Sequence, residues 1–164
     1  MKSGVLSIAL YPGTFDPITF GHIDIAVRAS QIFSKVIAVV ATNPAKNPLF
    51  TPQERVEMAR EALKNVPDVE VISYDGLVVD CMREYNATAI IRGLRAVSDI
   101  DYEFQMAFTN RKMLESAETV FLMPSAEYVY LSSTLVKQIA RHGGEIGQFV
   151  PDCVKQRMLE KVAV

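Results

Sequence analysis

Apolar positions along this chain follow two rhythms that take turns. Short runs rich in Val, Ile and Ala occur at residues 5–11, 36–41, 69–74, 88–91 and 119–123. Between them, apolar residues fall three and four apart, the interval that places side chains on one face of a helix. Ile25, Ala29, Ile32 and Phe33 do so in the first interval, and Val56, Ala59 and Leu63 in the second. The spacing predicts helices from the early twenties, over about 52–66, 77–85 and 99–114, then over 135–141, with a last one introduced by Pro151. Thr51-Pro52-Gln53-Glu54 has the makings of a helix start: a capping hydroxyl, a first-turn proline and an early acid. The run 36–41 is almost uninterrupted, the mark of a strand buried on both faces. The run 88–91 stops abruptly at Arg92-Gly93-Leu94-Arg95.

Strand and helix alternating in this way predict one α/β domain over residues 1–164, with a parallel sheet covered by helices on both faces. The helices of residues 132–164 are expected to pack on that domain. In such sheets ligands gather beyond the carboxyl ends of the strands, where strand order reverses. The pattern does not reveal the order. With order 3-2-1-4-5, the first and fourth strands would flank the reversal, and Thr14 to His22 and Arg92 to Arg95 follow those two strands.

Composition narrows the function. The chain has 164 residues, suited to one full hydrophobic core, and no repeat or low-complexity tract. No apolar run approaches the roughly 20 residues of a membrane span, so no membrane partner is expected. A formal net charge of −2 argues against bulk attraction to nucleic acid. A polyphosphate ligand would therefore need a local positive patch. Cys81 and Cys153 are far apart and have no histidine at ligand spacing. They predict no protein-held metal and fit a reducing cytoplasm.

The first of the two turns is Gly13 to His22, reading GTFDPITFGH. It joins a strand to a helix whose first turn carries His22, with Thr19 as the expected cap. Unpaired N–H groups at such a helix start, together with the helix dipole, favour an anion in front of them. Gly21 would let a ligand approach the backbone, and His22 can donate a hydrogen bond to it. By spacing alone, a plain crossover turn fits equally well. Arg92 and Arg95 follow the fourth strand, and their forked guanidinium groups suit bidentate phosphate binding. Lys46 lies in the loop after the second strand, and a solvated loop lysine is its alternative reading. Ser132-Ser133-Thr134 opens a helix, with Lys137 one turn on; one hydroxyl should cap, and the others can meet a phosphate. Asp99, Asp101 and Glu103 read first as helix-start acids. The helix 99–114 carries Ile100, Phe104, Ala107 and Phe108 on one side and Tyr102, Met106 and Met113 on others. So much apolar surface predicts contact with another subunit.

Taken as strings, GTFDPITFGH, with Thr19-Phe20-Gly21-His22 as a T/HxGH element, IRGLRAVSDIDYE and SSTLVK resemble the phosphopantetheine adenylyltransferase family of the nucleotidyltransferase superfamily. The likeness extends to NPAKNPLFTPQERVEM and VFLMPSAEYVYLSST, from about Leu10 to the last helix. It implies a Rossmann-like, doubly wound five-stranded parallel sheet and a cytoplasmic homohexamer. It also implies a magnesium-dependent transfer of the adenylyl group of ATP to 4′-phosphopantetheine, the penultimate step of coenzyme A synthesis, with coenzyme A as feedback inhibitor. Carried over by position, the catalytic residues would be His22, Lys46 and Arg92. Thr14, Phe15, His22, Gly93, Leu94, Arg95, Glu103 and the run Tyr128, Val129, Tyr130, Leu131, Ser132, Ser133 and Thr134 would hold ATP. Thr14, Lys46, Val78 and Arg92 would hold the acceptor. The Mg2+ would travel on the nucleotide. Many relatives have a third serine where this chain has Thr134, a change that keeps the hydroxyl. Two rivals are a cytidylyltransferase, whose RTxGISTT-like segment is not matched by YLSSTLVK, and a nucleotide-binding sensor without catalysis.

Overall fold

A computed structural model of the chain describes residues 7–42 and 47–162, except the side chains at 97 and 98. Five strands form one parallel sheet: β1 Ile8–Gly13, β2 Lys35–Ala41, β3 Val69–Tyr74, β4 Ala89–Gly93 and β5 Glu118–Leu122. Their order is β3-β2-β1-β4-β5, so β1 is paired on both sides and the order reverses between β1 and β4. The doubly wound arrangement expected from the alternation is the one observed.

Alternation along the strands divides the interior into two layers. Ala9, Tyr11, Val36, Ala38, Val40 and Ile91 face one way, onto helices α1 Phe20–Ile32, α2 Pro52–Leu63, α5 Ser133–Arg141 and α6 Asp152–Val162. Leu10, Ile37, Val39, Ile72 and Ile90 face the other, onto α3 Val78–Tyr85 and the end of α4 Val97–Met113. The long run in β2 is explained by this two-sided burial, since Val36 to Val40 are all buried. Both expected caps form, and each is a full capping box: the Thr19 and Thr51 hydroxyls accept the His22 and Glu54 N–H groups, and those side chains return to the cap N–H. At the start of α5, Ser132 caps Leu135 N–H at 3.1 Å.

Several boundaries differ from expectation. β4 continues through Arg92 and Gly93, which pair with Phe121 and Leu122. Glycine had suggested a stop, but pairing with a neighbouring strand outweighs local propensity. The strand therefore carries Arg92 into the site. α4 starts at Val97, ahead of the predicted 99, and its cap Ala96 makes no side-chain bond. α2 ends at Leu63, short of the predicted 66, and α5 starts at Ser133. The 3-10 turn Ala126–Tyr128 was not anticipated.

Candidate active site

A cleft of about 540 Å³ opens at the carboxyl end of the sheet, where β1 and β4 diverge. One wall is the turn after β1. Phe15 sits there with φ 49°, its ring buried edge-on between Tyr11 and His22 at 5.4 and 5.1 Å. Any side chain at Gly13 would meet that ring at 2.9 Å, so glycine is required there by packing. Gly21 differs: a Cβ would make only ordinary contacts at 3.6 Å, so packing does not demand a glycine there.

His22 lines the cleft at the first turn of α1. The Thr19 N–H donates to its Nδ1 at 3.0 Å, and the Thr19 hydroxyl lies equally close. With Nδ1 accepting, the neutral ring carries its proton on Nε2. Burial, followed by the charges of Arg95 and Arg92, pushes the imidazole down from its ordinary 6.5 to about 4. At neutral pH His22 is thus an uncharged donor, held in one tautomer by a backbone amide.

Opposite stand the cations. Arg92 donates from Nε and Nη2 to the two Glu103 oxygens at 2.7 and 2.6 Å, and from Nη1 to Pro12 O at 2.8 Å. Burial works against its charge, but the hydrogen bonds and charge of Glu103 outweigh that and raise its pKa. Arg95 donates to Leu131 O at 3.1 Å and lies 3.6 Å from Asp99, a looser and more exposed pair. Lys137 Nζ sits 2.7 Å from Asp16. The expected positive patch is therefore compensated among the described residues: Arg92, Arg95 and Lys137 each face a carboxylate. An incoming polyanion would meet spare guanidinium N–H groups and helix-start amides, Arg95 being the least committed cation.

α5 points its start into the same space. Ser132 caps Leu135, which leaves the Ser133 and Thr134 N–H groups as terminal donors. The Ser133 hydroxyl is spent on Pro17 O at 2.8 Å. Asp24 accepts from Ser125 N–H and Oγ at 2.8 and 2.7 Å, which holds the 3-10 turn so that Tyr128 stacks on Phe20 beside Gly21.

Of the residues singled out from sequence, Thr14, Phe15, His22, Arg92, Gly93, Arg95, Glu103, Tyr128, Leu131, Ser132, Ser133 and Thr134 line this one cleft. Val78, Leu94, Val129 and Tyr130 lie outside its wall. Val78 packs into the second core layer, Leu94 N–H bonds Leu122 O, and Val129 and Tyr130 are exposed. Lys46 lies outside the described residues. Sequence reasoning missed Asp16 as a polar junction and Arg55 altogether. Asp16 stood in the recognised motif, but nothing local reveals its partners; Arg55 reads as a solvated residue on α2. Among the described residues no group of three or more His, Cys, Asp or Glu side chains could hold a metal, and no helix is long and apolar enough to cross a membrane.

Residues 10–139 match the model of the cytidylyltransferase-like family. A phosphopantetheine adenylyltransferase of Caldanaerobacter subterraneus subsp. tengcongensis is 54% identical over 95% of this chain and 98% of its own length. One from Aromatoleum aromaticum is 52% identical over 100% of this chain and 99% of its own length. Among solved structures, the nicotinic acid mononucleotide adenylyltransferase of Plasmodium falciparum complexed with NaAD superposes with a TM-score of 0.70 at 14% identity, covering 97% of this chain and 95% of that one. At that identity the likeness speaks for the fold alone.

Proposed function

The chain belongs to the phosphopantetheine adenylyltransferases, within the cytidylyltransferase-like family, and from that membership we propose how its cleft carries out the transfer. The reaction moves the adenylyl group of ATP onto 4′-phosphopantetheine and yields dephospho-coenzyme A and pyrophosphate. A phosphate monoester is already a nucleophile, so the site needs no serine or cysteine to attack. An acceptor oxygen forms the new bond to the α-phosphorus as the bond to the β-phosphate oxygen breaks. Pyrophosphate leaves with that electron pair.

What remains for the protein is to align two anions and to stabilise charge on the transferring phosphoryl group. The observation that carries the reading is the convergence of a neutral, single-tautomer His22, the guanidinium groups of Arg92 and Arg95 and the start of α5 on one cleft. His22 Nε2–H would donate to an oxygen of the α-phosphate. Arg95 and the Ser133 and Thr134 amides would hold the nucleotide phosphates. Arg92, aimed by Glu103, would hold the acceptor phosphate, with Lys46 as its partner in that task. The adenine end would rest by Tyr128 and Leu131.

Magnesium fits best as a passenger on the triphosphate, because Asp16, Asp99 and Glu103 are each engaged with a cation. There it would supply neutralisation of phosphate charge. A homohexameric assembly, feedback by coenzyme A and a cytoplasmic setting complete the proposal. Two separate free cysteines suit the last of these.

The test is pyrophosphate release from ATP or CTP with phosphopantetheine or glycerol phosphate as acceptor. Turnover is expected only with ATP and phosphopantetheine. Tight ATP binding without turnover on any acceptor would reject the catalytic reading in favour of a nucleotide sensor.

A further inference from the structure

Arg55 is a fully buried arginine, 1% exposed, at the first turn of α2. Its Nη1 donates to Thr14 O at 2.7 Å and to Ala41 O at 2.8 Å. Thr14 begins the turn after β1, and Ala41 ends β2. One nitrogen thus ties the two chain segments together where both leave the sheet on the cleft side. Its Nε has no partner, and burial pulls the guanidinium pKa down against the opposing charge of Asp16. A buried charge with an orphan donor is a poor stabiliser, and an apolar side chain of similar volume often serves packing better. Core packing does not account for Arg55.

Asp16, 3% exposed, makes the complementary tie. Oδ2 accepts from Leu49 N–H at 2.9 Å and from Lys137 at 2.7 Å, and Oδ1 accepts from Phe50 N–H at 2.9 Å. Leu49 and Phe50 close the same β2–α2 connection that Ala41 opens. Pro48, next to Leu49, is part of the cleft wall. The β2–α2 connection is therefore hung at its two ends from the turn after β1, at one end by a buried cation and at the other by a buried anion.

We infer that Arg55 and Asp16 are positioning residues for the transfer, a clamp that sets the separation between the β1 turn and the β2–α2 wall across which the two reactants must align. Neither needs to touch a substrate. The inference rests on the reading above that acceptor and nucleotide occupy this one cleft. Its energetic logic is that a misplacement of about 1 Å between reacting groups costs up to about 10²-fold in rate. Loosening the clamp should therefore slow turnover more than it weakens the binding of either reactant.

The experiment compares wild type, Arg55→Met, Arg55→Lys and Asp16→Asn. It measures kcat, KM for each substrate, and the affinity and stoichiometry of ATP binding by calorimetry. Arg55→Met, which keeps bulk but donates nothing, is expected to lose about 10- to 100-fold in kcat. ATP should still bind at full stoichiometry, with KM and Kd values within about threefold of wild type, the pattern expected when alignment for the transition state is lost and binding is not. Arg55→Lys, which restores a donor, should recover part of the loss. A fall in kcat that merely tracks lost ATP stoichiometry would overturn the inference, as would wild-type turnover in a folded Arg55→Met. Amide hydrogen exchange at Leu49 and Phe50 gives a readout that needs no catalysis. Exchange should quicken in Asp16→Asn, whose amide cannot accept all three hydrogen bonds. If wild type itself does not turn over ATP with phosphopantetheine, the functional reading falls, and unchanged exchange at those amides would then reject the clamp separately.

Discussion

Arg92 and Glu103 form a two-pronged ion pair in the cleft wall, with Nε and Nη2 each donating to a different carboxylate oxygen at 2.7 and 2.6 Å. The pair joins β4 to α4 and fixes the plane of the guanidinium. Glu103 is almost wholly buried, whereas Arg92 keeps an exposed side toward the cleft. A carboxylate committed in this way acts first on Arg92, and only through it on a ligand.

Glu103→Gln retains the shape but can offer only one acceptor oxygen. We expect it to raise KM for phosphopantetheine by about tenfold, roughly 1.4 kcal/mol, and to change KM for ATP much less. Steady-state kinetics with each substrate varied in turn checks this. A selective rise in KM for ATP would instead place the Glu103 carboxylate on the nucleotide. Glu103→Ala should also destabilise the fold, by about 3 kcal/mol or less. That is below the cost of breaking a wholly buried pair, because Arg92 can reach water.

His22→Ala removes the Nε2–H donor and half of a capping box at once. The loss in kcat should be on the order of 10²–10³, as for other donors aimed at a developing oxyanion. The cap contributes only about 1 kcal/mol to folding, so the variant should fold and bind ATP nearly as wild type does. Turnover close to wild type would remove His22 from the mechanism.

Those two side chains show what a sequence can and cannot disclose. His22, Thr19 and the helix they start were legible because a capping box is local: its partners lie three residues apart. The sheet was legible because apolar runs and helical spacing alternate without interruption. Arg92 was suspected, but its place on a strand was not, since pairing with Phe121 is settled by a neighbour far along the chain. Asp16 and Arg55 were beyond reach as junctions. Their partners lie 33 to 121 residues away for Asp16 and 14 and 41 for Arg55, and meet them only after β1, β2 and α5 have been assembled. An arginine on a helix surface and one sealed beneath a cleft look alike until the fold is known.

The depressed pKa of His22 has a consequence for stability. In the unfolded chain the imidazole takes up a proton near 6.5, and in the folded one near 4. Between those values the unfolded state binds more protons, so this group's contribution is fully present above about 6.5 and is lost as pH falls toward 4. Denaturant midpoints of wild type and His22→Asn, measured across that window, should converge as the pH is lowered. The imidazole resonances of folded wild type should show a His22 midpoint near 4. Titration of that ring near its ordinary value would contradict the buried, neutral assignment.

The outer surface of α4 raises the last question. Tyr102, Phe104, Phe108 and Met113 are exposed there, with Phe108 at 69%. Phe104 packs on Phe121 of the edge strand β5 at 5.4 Å, and a hollow of about 200 Å³ lies between them, Phe108 and Thr119. The Thr119 hydroxyl is out of solvent yet has no hydrogen-bond partner. Contiguous apolar surface of this kind, rimmed by Arg111, is unusual on a chain that stays alone. A second copy is the occupant consistent with the proposed homohexamer. Light scattering should then give a mass several times that of one chain at micromolar concentration. Phe108→Asp should shift it toward smaller species, because a carboxylate in an apolar contact must be desolvated without a partner. Phe108 is not part of the cleft lining, so the dissociated variant should retain ATP binding. A wild-type mass equal to that of one chain would leave the α4 surface without the role assigned to it.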